Sequence, residues 1–271
     1  MKISTVSTVS SLLSRQQAES TSMLIVADIE TGAAAPEDLQ KLVDGWKPGG
    51  NLKNPETIEQ HRQKFMDEIT LESAKTDAAP IVCCAIRTNR GHREVFSCLP
   101  KLNALSIHDY ELIETDTEAD MLDLLVFRLN ELAYMEEARK FVGHNLKAFD
   151  LVKIRNRCGR NGVKLPPALR PYAVPVFDTM ENAKHYSVDL AKDKTKFVSF
   201  EMAALYCGFD THKRSYSGAQ VPKDVSRIYE LLAQDPESQE AKELTETILL
   251  YNTEDVEGEL DLAVFMAADQ L

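Results

Sequence analysis

Met23-Leu24-Ile25-Val26-Ala27-Asp28-Ile29-Glu30-Thr31 is an apolar run that ends in two carboxylates one residue apart. Five consecutive apolar residues, β-branched Ile25 and Val26 among them, read as a strand buried on both faces, like the central strand of a mixed or parallel sheet. Side chains alternate along a strand, so Asp28 and Glu30 point to the same side. Two acids on one buried face raise each other's pKa, and such a pair calls for a cation, usually a metal. The other reading is an ordinary strand end, because Asp-x-Glu after an apolar run is a short motif.

The chain around this run has 271 residues, room for one large α/β domain or two small ones. No stretch has the eighteen or so consecutive apolar residues of a membrane span. Five cysteines (Cys83, Cys84, Cys98, Cys158 and Cys207) show neither C-x-x-C nor zinc-ligand spacing, which suits reduced thiols in a cytoplasm, packed in the core or idle. A net charge of -12 argues against coating nucleic acid through bulk electrostatics, but it leaves room for a local basic channel.

Residues 1–22, rich in Ser and Thr, read as a flexible leader rather than a secretory signal, with an alternative start at Met23. After the strand, Gly32-Ala33-Ala34-Ala35-Pro36 is either a plain turn or a small-residue mouth that lets a ligand approach the backbone. Asn54-Pro55-Glu56 has the cap, N1 proline and early acid of a helix start, and the helix should run to about residue 74, making 51–79 a helical insertion after the first strand. Strands are expected over 81–86 and 93–98, joined as an antiparallel hairpin through Asn89-Arg90-Gly91, whereas 105–113 is ambiguous. Met121, Leu124, Leu125, Leu129 and Leu132 mark an amphipathic helix over 118–139. A short strand at 140–143 turns into a helix that reaches about residue 160, with Asp150 in its first turn or two. Beyond it come a short strand over 174–179, in which Asp178 reads as a helix cap, and a helix over 199–207 stopped by Gly208. Helices over 221–232 and 239–266 finish the chain, and in the second Tyr251 and Asp255, four apart, share one face.

Three separated pieces therefore each carry acids. Asp28-Ile29-Glu30-Thr31, Asn145 followed by Phe149-Asp150, and Tyr251 with three residues between it and Asp255 together resemble the three exonuclease motifs of the DEDD superfamily. Tyrosine in the third motif marks the DEDDy branch, which includes the proofreading domains of DNA polymerases. The helix start within 51–81 is also similar to phage and bacterial exonucleases related to the polymerase B proofreading domain. The resemblance covers about 24–271, so residues 23–271 are expected to form one exonuclease domain.

The family implies an α/β, ribonuclease H-like fold: a mixed central sheet flanked by helices, with the Asp28 strand central. It also implies two divalent cations, Mg²⁺ or Mn²⁺, which take hard oxygen ligands and suit a four-carboxylate site. Asp28 would bridge both ions, Glu30 and Asp255 would complete one site, and Asp150 would support the other. Such an ion pair, about 4 Å apart, stabilises the attacking and leaving oxygens of an in-line displacement. Tyr251 would orient the nucleophilic water, since an ordinary pKa near 10 suits orientation better than proton abstraction. Nucleoside 5′-monophosphates would leave from a 3′ end, with Thr31 and Gly32 contacting the terminal nucleotide through backbone donors and Asn145 holding substrate or bracing the second motif.

His144 lies in the second motif, and its expected role is structural or substrate contact rather than general base. From 139 to 170 nine basic residues face one acid, a path for the phosphate backbone or a solvated helix face. The expectation is a 3′-5′ exonuclease on single-stranded DNA or frayed 3′ ends, in a bacterial cell or phage-infected host. A replication or recombination protein is a candidate partner, and no membrane is expected. An exoribonuclease is the near alternative, and a binding or interaction protein that keeps the fold without turnover is the more distant one.

Overall fold

The computed structural model describes residues 22–102, 105, 107, 109–135, 139–192, 197–208, 216–266 and 268. All but the last residue of the expected leader lies outside them. The opening run forms β1 (Met23–Thr31), and Ile81–Thr88 and Arg93–Ser97 form β2 and β3, an antiparallel hairpin turning at Gly91, whose φ is +97°. Glu111–Glu114, in the stretch that was ambiguous by pattern, is β4. Arg139–Gly143 and Val176–Asp178 are β5 and β6. The sheet order is β4-β3-β2-β1-β5-β6, with β1 antiparallel to β2 and parallel to β5. This mixed six-stranded sheet flanked by helices is consistent with the ribonuclease H-like fold expected.

Alternation along β1 divides the core. Leu24 and Val26 join one apolar cluster, while Met23, Ile25, Ala27 and Ile29 join the other. Between β1 and β2 lie α1 (Pro36–Gly45), α2 (Pro55–Asp67) and α3 (Ile69–Ala74), the last two within the expected insertion. The long amphipathic helix is α4 (Glu118–Met135), and Asp150–Arg160 is α5. Both lie on the Ile25 face: Met121, Leu125 and Leu129 of α4 and Leu151, Ile154 and Cys158 of α5 pack there. Thr179–Tyr186, Val188–Lys192 and Phe200–Tyr206 are α6, α7 and α8. Val221–Gln234 is α9 and Gln239–Phe265 is α10. These last two cover the Val26 face through Val225 and Ile228 of α9 and Ile248, Val256 and Leu260 of α10.

Local departures from the expected elements have local causes. The helix expected over 55–74 breaks at Glu68, whose ψ of 7° leaves the α region between α2 and α3. The α1 helix was not foreseen, although Pro36 at its first turn and the acids Glu37 and Asp38 behind it repeat the signature read at Asn54. The helix expected over 118–139 ends at Met135, and Arg139 already belongs to β5. Asp178 does cap a helix, its carboxylate accepting from Met180 N at 3.0 Å and Glu181 N at 3.4 Å. Among the described residues no helix is long and apolar enough to cross a membrane.

Candidate metal centre

Asp28 and Glu30 have the same parity as Leu24 and Val26, so strand alternation turns both toward α10. That helix brings Tyr251 and Asp255. One carboxylate oxygen from each of Asp28, Glu30 and Asp255 lies within 4.8 Å of the other two, a spacing that one cation can bridge. Asp150 arrives from the neighbouring strand: β5 pairs with β1 only as far as Val26, and α5 starts at Asp150. Beyond the end of that ladder the Ile29 N–H donates to Asp150 Oδ1 at 3.4 Å. Three sequence-distant acidic pieces thus meet at the end of β1, close to the carboxyl ends of the two parallel central strands, where open α/β sheets commonly bind ligands.

The electrostatics of this cluster are those of a site lacking positive charge. Burial pushes the Asp28 carboxyl far above its ordinary pKa, and the charges of Glu259, Asp150, Asp255 and Glu30 push the same way. Glu30 is raised by burial and by Asp255 and Asp150. Asp150 is pushed up to about 7 by burial, although its own N–H and that of Ile29 favour the charged form. Tyr251 is raised as well, first by burial and then by the surrounding carboxylates, and its hydroxyl hydrogen-bonds with Asp255. It therefore remains a protonated phenol. A donor set made of carboxylate oxygens could hold a hard cation, whose charge would oppose each of these shifts.

The remaining expected site residues are held by other partners. Both ring nitrogens of His144 are engaged, Nδ1 with Thr179 Oγ1 at 3.0 Å and Nε2 with Val198 O at 2.7 Å. Its ring thereby links the turn after β5 to Thr179 and Val198. Asn145 takes a left-handed φ of +63° and gives its N–H to Asp178 Oδ1 at 3.1 Å, while Lys147 N donates to Oδ2. The same Asp178 carboxylate therefore caps α6 and holds the 145–147 turn. Thr31 Oγ1 donates to Ala74 O at 3.2 Å, and Gly32 N donates to Pro80 O at 3.0 Å, so the Gly32 donor expected to meet a nucleotide already has a partner. A Cβ on Gly32 would lie 3.2 Å from Val82 Cγ1, so a side chain there would need Val82 to shift. A cleft of about 490 Å³ opens along this segment, lined by Gly32, Ala33, Ala34, Val225 and Tyr229 among others; none of the cluster carboxylates lines it.

Four residues near the acids went unread in the sequence. Asn252 is fully buried, and its Nδ2 donates to Asp28 Oδ2 at 2.7 Å and to Asp28 O at 3.1 Å. Glu259, 4% exposed, accepts from His144 N at 3.0 Å. The signal for both was their spacing: Asn252, Asp255 and Glu259 are three and four apart, one polar stripe on an otherwise apolar helix face. Tyr216 and Gly218 had no such signal. The Tyr216 ring packs edge-on against Tyr251 at 5.3 Å and its hydroxyl donates to Asp224 at 2.7 Å. A Cβ on Gly218 would lie 3.6 Å from the Tyr251 hydroxyl and 3.9 Å from Glu30 Oε2.

Part of the basic stretch is internal wiring, while Lys147, Arg160, Lys164 and Arg170 are exposed. Lys153, buried and with its pKa lowered to about 8 by that burial, donates to Thr76 O. Arg157 pairs with Glu118 and also donates to Asp77 O and Ala78 O, so α5 holds the end of the insertion. Lys140, Lys147, Arg155 and Arg160 hydrogen-bond with Ala268, Glu181, Leu169 and Asn156 respectively. Arg139 stacks on the Tyr134 ring at 5.5 Å.

No protein-family model matches the chain, and no curated protein is found similar to it. Among solved structures, it is similar to the family B DNA polymerase from the hyperthermophilic archaeon Pyrobaculum calidifontis, with a TM-score of 0.47 and 16% identity over 90% of this chain. The match spans 24% of the polymerase chain.

Proposed function

We propose that this chain is a metal-dependent 3′-5′ exonuclease that releases nucleoside 5′-monophosphates from single-stranded DNA or frayed 3′ ends. The observation that carries the reading is convergence: Asp28, Glu30 and Asp255, from a strand and a helix more than 200 residues apart in sequence, bring ligand oxygens within 4.8 Å of one another, with Asp150 beside them on Ile29. Asp150 completes the set of acids that the motif resemblance led us to expect.

Asp28, Glu30 and Asp255 would hold one divalent cation, and Asp28 with Asp150 a second. When bound, such cations supply Lewis-acid polarisation of the phosphodiester and lower the pKa of the attacking water. The protein's own part is positional. Asn252 fixes the Asp28 carboxylate through Oδ2, so its remaining lone pairs keep one orientation. Tyr251, whose phenol has an ordinary pKa near 10, orients water by hydrogen bonding without taking a proton. The acids themselves repel a phosphodiester until cations neutralise them, so productive substrate binding requires metal.

The test follows 5′-labelled single-stranded DNA and RNA of equal sequence with Mg²⁺, with Mn²⁺ and with chelator, with Asp255→Asn alongside the parent chain. The expected result is a metal-dependent ladder shortening from the 3′ end, absent in the variant and stronger on DNA. Intact substrates under every condition would overturn the reading, and preferential loss of RNA would make the chain an exoribonuclease.

A further inference from the structure

Glu259 is the carboxylate in this centre that the motif resemblance does not account for. It sits one helical turn beyond Asp255 on the face of α10 that meets β1. A leucine there would pack without electrostatic cost, whereas a buried carboxylate is expensive unless it is neutralised or paired. Oε1 accepts from the His144 N–H, but Oε2 is shielded from solvent and has no hydrogen-bond partner among the described residues. Asp150 and Asp255 are the charges that act most strongly on Glu259, and Glu259 is the carboxylate that acts most strongly on Asp28. Glu259 thus lies beside Asp28 and Asp150, and it stands outside the group of Asp28, Glu30 and Asp255 whose ligand oxygens lie within 4.8 Å of one another.

We propose that Glu259 is a fifth carboxylate ligand, whose Oε2 joins Asp28 and Asp150 around one divalent cation while Asp28, Glu30 and Asp255 surround the other. The inference rests on the metal-dependent reading above and completes it, because it gives each cation three carboxylates with Asp28 shared. It also gives the His144 contact a purpose: the N–H that holds Oε1 sets the direction in which Oε2 points.

The test is Mn²⁺ binding to the full chain without nucleic acid, measured by the electron paramagnetic resonance of free Mn²⁺ and by titration calorimetry, for the parent, Glu259→Gln and Glu30→Gln. Glutamine keeps the size and the acceptor for His144 N–H. The parent is expected to bind two Mn²⁺ per chain. Glu259→Gln should weaken one site at least about tenfold and spare the other, and Glu30→Gln should weaken the site that Glu259→Gln spares. Melting of metal-free Glu259→Gln, expected at or above the parent temperature, verifies the fold; if it melts lower, Glu259→Asp, which retains the charge, must still weaken one site selectively. Two undiminished sites in Glu259→Gln, or equal weakening of both, would overturn the proposal and leave Glu259 as a brace for His144. No Mn²⁺ bound by the parent would instead sink the metal reading of the whole centre.

Discussion

Glu118, largely buried, and Glu259, fully enclosed, both lie on long helices, yet the protein treats them in opposite ways. Glu118, 11% exposed at the side chain, receives Arg157 through both oxygens, Asn161 Nδ2 at 3.0 Å and Ile81 N at 2.8 Å. Glu259 receives one backbone N–H. Glu257, two residues earlier on α10 but turned outward, repeats the Glu118 pattern with Arg87, Arg93 and Tyr110. The chain has the means to neutralise a buried acid with arginine, and it does so where the acid is structural. At the end of β1 it gathers carboxylates whose strongest electrostatic neighbours are other carboxylates. The missing charge is expected to come from outside.

Breaking the structural side of this comparison should have the largest effect. Arg157→Ala leaves Glu118 buried without its cation and should cost about 3–5 kcal/mol of stability, read by denaturant unfolding. The remaining folded protein should keep its metal affinity. Asp28→Asn does the reverse. It should raise the melting temperature of the metal-free protein by relieving repulsion, yet lower turnover by about a hundredfold or more, because a lost metal ligand forfeits several kcal/mol of transition-state stabilisation at about 1.4 kcal/mol per tenfold. A variant that is both less stable without metal and fully active would erase the distinction between the two kinds of acid.

Asn252→Ala probes the positioning of Asp28 and should weaken Mn²⁺ binding or turnover by about 10–100-fold with the fold preserved, measured by titration and steady-state rates. The smallest effect is on pH dependence without metal. The Asp150 carboxyl titrates near 7 in the folded chain and near its ordinary value when unfolded, so between those values the folded state holds more protons. Stability is therefore greatest at low pH and is lost as pH rises toward 7, the opposite of a salt-bridged carboxylate. Metal-free melting should fall on the order of 5 °C from pH 5 to pH 8, since 1 kcal/mol moves a domain of this size by about 2–4 °C. Saturating Mn²⁺ should abolish or invert the slope, and Asp150→Asn should reduce it.

Much of this centre was legible in the chain before any contact was known. The parity of Asp28 and Glu30, the position of Asp150 at a helix start and the one-face spacing of Tyr251 and Asp255 all follow from strand and helix periods of local origin. Glu259 was legible in principle by the same spacing but lay outside the motif that drew attention to Asp255. The basic stretch shows the limit of composition. Lys153 and Arg157 look from sequence like phosphate ligands, but they hold the end of the insertion at Thr76, Asp77 and Ala78. Charge counts do not report which backbone carbonyls lie within reach.

The division follows from the range of the forces involved. Residue order alone set which side chains share a face of β1 and which share a face of α10, because those periods depend on backbone geometry within a few residues. That the two faces meet is decided by long-range packing across the Val26 side of the sheet, which brings Asn252 onto Asp28 over 224 positions of sequence. Only that packing makes Glu259 a neighbour of Asp150 and turns Arg157 toward Glu118 instead of a phosphate.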